Sequence, residues 1–440
     1  MRILMRGYKH PLRRMRPEAV LDTDVLGKNS GNLVFSEASF RALSMPGTEV
    51  TVSNFEDLFD DVDRVNAEYD AVALPFANAF RGSYLPTLER FTEFVRGLRI
   101  PVTVLGIGAQ SDLDYRLGPL AQVNDAAKAF TAAVLDKSPT IGVRGEFSAT
   151  YLRSLGFDAV DVIGCPSMFM FGSRLPTTRD PGPLHAGSRI ALNLTPGAGR
   201  PGLVQHHLER YPELVYIAQG NFDLRLMLWG VPVRNLDDEY PRTLDHPLFA
   251  EDRARMFVDV STWIEELRRV DFSFGTRIHG NVAALLAGTP AHVIAHDSRT
   301  RELAEYFDIP YTRQDRLPED VDAKDLLAGS SYAALHAGHG ARFTRFTDYL
   351  RVHGLGHSLD DTEAAVRMDR RVQKLKLPSA VRAANGAGAA VLLQRAYWSH
   401  QANRREAADL ERRVAELEHL LANTSPDNGL RARLRRRRQG

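Results

Sequence analysis

The chain has 440 residues, 44% apolar and 25% charged, with 33 Gly and 23 Pro, which excludes a disordered or collagen-like polymer and suggests two globular domains with an appendage. A single cysteine, Cys165, excludes an intrachain disulfide and suits a reducing compartment such as the cytoplasm. No apolar run approaches the roughly 20 residues that span a bilayer, and the charged residues 1–6 lack the apolar core of a secretory signal.

The formal net charge of +1 is unevenly divided. Residues 361–440 carry 17 Lys/Arg against 9 Asp/Glu, and residues 1–360 carry 39 against 46. The body therefore has no gross attraction for nucleic acid, and any polyanion contact belongs to the tail.

Short apolar runs over residues 1–5, 49–52, 71–75, 102–106, 140–143 and 160–163 alternate with amphipathic stretches over 85–98, 126–136 and 147–155. Continuous Val/Ile/Leu runs bounded by Gly or Pro predict strands buried on both faces, the parallel-sheet case. A stretch rich in Pro, Gly, Ser and Thr over 172–188 reads as a linker. Strands follow at 189–194 and 214–218, a helix at 251–268, and strands at 271–274 and 291–295. The alternation predicts two Rossmann-like doubly wound α/β domains facing a cleft, residues 1–172 and 189–350, joined by 173–188 and followed by a helical, basic tail over 351–440. In the tail, Ala407, Leu410, Val414, Leu417 and Leu421 form a heptad seam that fits intrachain docking or a homodimer. Six arginines between Arg431 and Arg438 end the chain. They suit either a solubilising end or peripheral contact with an anionic membrane face.

Ligands of open α/β sheets bind at the carboxyl ends of the strands, and four such exits carry chemistry. In Phe272-Ser-Phe-Gly-Thr-Arg-Ile-His-Gly-Asn281 a buried strand ends at Gly275, and Arg277 and His279 precede a helix starting near Asn281. Arginine suits bidentate capture of phosphate or carboxylate, and histidine a transferable proton. The structural alternative is that His279 caps the helix and Arg277 makes an ion pair. In Gly27-Lys-Asn-Ser-Gly-Asn32, small residues before a helix from about Leu33 allow close backbone approach to an anion or sugar, or form an ordinary capped turn. In Gly106-Ile-Gly-Ala-Gln110, Gly108 allows close approach and Gln110 can bond a substrate. Arg144 and Ser148 lie at the fourth exit, where Arg144 is either a second anion clamp or the partner of a nearby acid. Cys165 reads as a small residue lining the cleft. His206 and His207 read as loop residues without metal-pair spacing, and no required metal is expected.

Together these blocks resemble the polysaccharide pyruvyl transferase family. The matching pieces are Asn29-Ser-Gly-Asn32 with Gly31, the Gly106–Gln110 exit, Arg144 with Ser148, the Gly164-x-Pro166 turn and Arg277-x-His279, in the family's order over roughly residues 20–310. The resemblance implies a glycosyltransferase-B-like pair of domains and transfer of a pyruvyl group from phosphoenolpyruvate to hydroxyls of a saccharide. The product is then a pyruvate ketal on a cell-surface polysaccharide or its precursor, with no cofactor beyond phosphoenolpyruvate as co-substrate. It implies that Arg277 and His279 contact the donor, and it makes a lipid-linked acceptor one option. Where such proteins often carry a lysine, this chain has His296-Asp-Ser-Arg299, so the cation persists with another geometry. On this reading His279 is the general acid, Arg277 the anion binder and Arg144 a second clamp, with Asp112 and Asp297 the candidates for the base. The competing readings are a nucleotide-sugar glycosyltransferase of the same build and a non-catalytic polymer-assembly factor.

Overall fold

A computed structural model describes residues 1–234, 239–384 and 388–424. Residues up to Gly386 form one compact unit, and the chain from Ala387 a second.

Among the described residues the first unit holds twelve strands: β1 (Arg2–Arg6), β2 (Glu49–Ser53), β3 (Ala71–Pro75), β4 (Val102–Leu105), β5 (Ile141–Val143), β6 (Val160–Val162), β7 (Ile190–Asn193), β8 (Val215–Ala218), β9 (Ala254–Met256), β10 (Phe272–Gly275), β11 (Ala291–Ala295) and β12 (Tyr311–Arg313). The first sheet runs β2-β1-β3-β4, all parallel. The parallel pair β5–β6 extends it through a bridge between Ile107 and Val143. The second sheet is also parallel throughout, in the order β12-β11-β10-β7-β8-β9. Both orders reverse direction once, between β1 and β3 and between β7 and β10, as in doubly wound folds. The expected pair of Rossmann-like sheets is the architecture observed.

Burial explains the strand composition. Leu4, Val72, Leu74, Val102 and Val104 face helices Leu85–Gly97 and Asn124–Leu135, whereas Ile3, Met5, Ala71 and Ala73 face helix Gly31–Leu43. That helix is buried on nearly every side and belongs to one core continuous with Ile190, Leu192, Phe272 and Phe274 of the second sheet. Polar contacts also tie the two sheets together. Ser111 N donates to Ser298 Oγ at 2.7 Å, Ser30 N donates to Gln219 O at 2.9 Å, and Lys9 is paired with Asp259, both buried.

Three expectations need correction. Residues 251–268 are not one helix: Ala254–Met256 adds edge strand β9 to β8, and the helix is confined to Val260–Leu267. The charged run Glu251–Arg255 suits an exposed helix, but the unsatisfied β8 edge takes its last two residues and Met256 into the sheet. β12, a half-buried strand at the opposite edge, was not anticipated. The helix after β10 begins at Ile278, so His279 sits inside its first turn.

Beyond the second sheet, helix Ala333–Val352 returns to the first. Tyr349 Oη donates to Val104 O at 2.8 Å, His353 Nε2 bonds Thr140 O at 3.0 Å, and Ser358 Oγ donates to Arg41 O at 2.6 Å. In the second unit, helix Ala389–Thr424 carries the heptad seam, and Leu410 and Val414 are exposed on it. The cluster from Arg431 to Arg438 lies outside the described residues. Among the described residues no helix is long and apolar enough to cross a membrane.

Candidate functional site

The carboxyl ends of both sheets, at their two reversal points, line one pocket of about 370 Å³. Arg6 and Arg81 reach it from the first sheet, Arg277 and Arg299 from the second, and Lys28 from the turn before helix Gly31–Leu43. No Asp or Glu among the described residues lines it.

The Arg277 turn is braced from behind. Gly275 has φ +137°, and a Cβ there would lie 1.9 Å from Asn193 O, so only glycine fits where β10 meets β7. Asn193 Oδ1 accepts from Arg277 N at 2.8 Å, and Asn193 Nδ2 donates to Asn281 Oδ1 at 3.1 Å. Asn281 Nδ2 in turn donates to Gly275 O at 3.1 Å. Arg277 Nε donates to Leu194 O at 2.8 Å, and its terminal nitrogens bond no protein acceptor among the described residues. The guanidinium fork is therefore aimed but unspent.

Arg299 is in the same condition. Its Nε is buried without a hydrogen bond and stands 3.7 Å from Asp297 Oδ2. Burial, then Arg144 and Arg277, hold its pKa below the ordinary arginine value against the pull of Asp297. Burial and then Arg299 likewise depress that of Arg81. Mutually repelling guanidinium groups in a partly dry pocket favour an anion that brings its own charge. The position noted as departing from the family pattern thus supplies one of the principal cations.

On the opposite wall Asn29 Oδ1 accepts from Gly31 N at 2.7 Å, and Asn32 Nδ2 donates to Leu26 O and Gly27 O, both at 2.9 Å. These bonds shape the turn, and both asparagines line the pocket. A Cβ on Gly31 would sit 3.1 Å from His279 Cβ, so this glycine lets the two helix starts meet. Gln110 lines the pocket as well, donating from Nε2 to Asp297 Oδ2 at 3.0 Å and accepting from Asn78.

Arg144 and Ser148 do not serve as expected. Arg144, only 1% exposed, donates from Nε to Glu302 Oε2 at 2.7 Å, from Nη1 to Ala77 O at 2.8 Å, and from Nη2 to Ala109 O. Every arm of the guanidinium is engaged, so it is a buried interdomain brace and has no face for a ligand. Ser148 is fully buried against the same carboxylate, 2.9 Å from Oγ to Oε2. Gly108 has a matching steric role, because a Cβ there would fall 2.2 Å from Arg144 Nε.

His279 is half-buried beside the pocket wall. Its ring centroid is 5.7 Å from that of the wall residue Phe35, and its Nε2 is 3.6 Å from Cys165 Sγ. Burial, then Arg299 and Arg144, lower its pKa to about 3, so the free protein holds a neutral imidazole there. Cys165 is buried beside it and does not line the cleft, contrary to expectation; burial pushes its thiol pKa up. Of the two candidate bases, Asp112 pairs with Arg116 at 2.6 Å outside the pocket. Asp297 caps helix Ser298–Phe307 through Thr300 N at 2.9 Å. Burial alone would raise its pKa, but Arg299, His296 and the Thr300 bonds bring it down to about 2.

His206 and His207 lie on helix Leu203–Arg210, not in a loop, and their ligand atoms come within 4.8 Å of one another and of Asp322. Protein bonds already occupy this cluster. His207 Nδ1 bonds Leu203 O at 2.7 Å, its Nε2 accepts from Ala323 N at 3.0 Å, and Asp322 pairs with Arg210 at 2.7 Å.

The sequence reading missed Arg6, Arg81 and Glu302. A cation at the end of a buried strand, as Arg6 is, was the available signal, and Arg81 follows β3 by the same rule. Nothing local marks Glu302 as the partner of Arg144.

A family model described as polysaccharide pyruvyl transferase matches residues 29–298. No curated protein matches the chain. Among solved structures, it is similar to the UDP-GlcNAc 2-epimerase of Methanocaldococcus jannaschii in complex with UDP-GlcNAc and UDP (TM-score 0.47, 9% identity, covering 80% of this chain and 99% of that one). It is also similar to the UDP-N-acetylglucosamine 2-epimerase of Rickettsia bellii (TM-score 0.41, 13% identity, covering 80% of this chain and 95% of that one).

Proposed function

Because the chain belongs to the polysaccharide pyruvyl transferase family, we propose that it transfers the pyruvyl group of phosphoenolpyruvate to two hydroxyls of a saccharide, forming a ketal. The observation that carries this reading is the pocket itself. Arg81, Arg277 and Arg299 converge there with no lining carboxylate among the described residues, which suits a small molecule bearing both a phosphate and a carboxylate.

The proton balance is simple. A proton adds to the methylene carbon, leaving an oxocarbenium-like C2. One sugar oxygen bonds to C2, the C2–O bond to phosphate breaks, and the second sugar oxygen closes the ring. Of the two hydroxyl protons released, one replaces the proton placed on the methyl group and the other leaves with phosphate. Fixed guanidinium groups around the departing phosphate lower the barrier because they need no reorganisation as charge develops. In this reading Arg277 and Arg299 hold the donor and His279 delivers the proton. His279 is neutral in the free protein, and the donor's negative charge opposes the Arg299 field that helps keep it so. Donor binding therefore raises the proton affinity of the imidazole, while the larger effect of burial remains. The test is mass spectrometry of methyl hexopyranosides and disaccharides incubated with phosphoenolpyruvate. The reading requires a pyruvyl ketal mass gain matched by released phosphate; free pyruvate and phosphate without a glycoside adduct would refute it.

A further inference from the structure

Arg6, the last residue of β1, lines the same pocket, but its charge is spent. Its Nη1 donates to Pro75 O at 3.1 Å, and its Nη2 donates to Tyr8 Oη at 2.9 Å and to Tyr84 Oη at 3.1 Å. The guanidinium carbon lies 4.7 Å from the Phe76 ring centroid and 5.1 Å from that of Tyr8. A guanidinium only donates. Each phenol oxygen must therefore accept from Arg6, and each phenol proton is left to be given elsewhere. Both tyrosines line the pocket, and neither hydroxyl donates to a described residue. Two hydrogens of one planar nitrogen hold the phenol oxygens about 5 Å apart. Two neighbouring oxygens of one pyranose ring can each receive a bond across that span.

The pocket thus has two chemical halves. Arg81, Arg277 and Arg299 repel one another and call for an anion. The Arg6–Tyr8–Tyr84 patch offers two neutral O–H donors, with Arg6 covering the buried Phe76 ring and the half-buried Phe222 also lining the pocket. Aromatic faces with a few fixed donors suit a neutral ring bearing many acceptor oxygens.

We propose that Tyr8 and Tyr84, oriented by Arg6, form the acceptor subsite and hold a hexopyranose through their two phenol O–H groups, while the guanidinium cluster keeps the donor anion. This assignment rests on the proposed pyruvyl transfer for the identity of the second ligand.

The test separates the two halves. Saturation-transfer NMR with methyl gluco-, galacto- and mannopyranosides, in inorganic phosphate buffer, is run on the full chain and on Tyr8→Phe, Tyr84→Phe and the double variant. Calorimetric titration with phosphoenolpyruvate is run on the same four proteins. Phenylalanine keeps each ring in place, and an unchanged circular dichroism spectrum verifies folding. The double variant should weaken glycoside binding about tenfold, two hydrogen bonds' worth, while phosphoenolpyruvate affinity stays within twofold. Three results would overturn the assignment: no wild-type binding of any glycoside, glycoside binding indifferent to both substitutions, or an equal loss of phosphoenolpyruvate affinity. Tyrosine-dependent glycoside binding without phosphoenolpyruvate binding would instead uphold the subsite and defeat the donor assignment.

Discussion

Replacing Glu302 by alanine leaves the Arg144 guanidinium without its carboxylate in a place where water cannot substitute. The pair is 1% and 2% exposed, and the same carboxylate accepts from Ser148 N at 2.6 Å and Ser148 Oγ at 2.9 Å. Breaking a buried pair from one side typically costs about 3–5 kcal/mol, and the two orphaned Ser148 donors place Glu302→Ala at the upper end of that range. Glu302→Gln keeps an acceptor and should cost less. Removing both charges with Arg144→Met and Glu302→Gln should recover part of the loss, because no uncompensated charge remains. Urea unfolding of the wild type, Arg144→Met, Glu302→Gln and the double variant measures the coupling, and calorimetric titration with phosphoenolpyruvate measures the donor half of the pocket. If Arg144 is a brace, the variants lose stability and the folded fraction keeps donor affinity within about threefold, a shift smaller than the 1.4 kcal/mol that a tenfold change represents. An Arg144→Met protein as stable as the wild type, yet more than about tenfold weaker for the donor, would instead make the arginine a clamp.

Arg277→Lys keeps the charge but loses the planar fork that Leu194 O and the Asn193–Asn281 brace hold in place; donor KM in a phosphate-release assay should rise about tenfold or more. His279→Ala should lower kcat by ~10²–10⁴ while donor affinity falls only modestly, checked by single-turnover kinetics at saturating donor. Gly108→Ala drives a methyl group into the Arg144 guanidinium, so thermal unfolding should show a loss of about 1–3 kcal/mol. His207, His292 and His296 have pKa values lowered to about 4, and His279 to about 3, in each case first by burial. At these four sites the unfolded chain binds more protons than the folded one below pH 6.5; Asp223 and Asp259, raised to about 6 first by burial, offset part of this, and stability still falls as pH drops towards 4. The slope approaches about 1.4 kcal/mol per pH unit for each such histidine, and a flat urea midpoint across this window would contradict it.

Much of the fold was legible because buried parallel strands are continuous apolar runs, as in Val102–Leu105 and Ala291–Ala295. β9 was not, since its three residues at the end of a charged stretch carry no period of their own and gain strand geometry from pairing with β8 and from the bridge of Met256 to Val381. The Arg277 turn was legible for a similar reason: Gly275 closes a strand, and the next polar residues must emerge at its carboxyl end. Arg144 obeyed the same rule and yet faces inward, because its partner Glu302 lies 158 residues downstream. The tyrosine pair was hidden in another way. Tyr8 and Tyr84 are unremarkable until β1 and β3 place Arg6 between them.

On the proposed function, the guanidinium cluster at the two reversal points is a site for phosphoenolpyruvate. Isothermal titration of the full chain with phosphoenolpyruvate and, separately, with UDP-glucose tests it without knowledge of the acceptor. The expected result is saturable binding of phosphoenolpyruvate that weakens about tenfold or more in Arg277→Lys, with no heat from the nucleotide sugar. Saturable binding of UDP-glucose with none of phosphoenolpyruvate would contradict it.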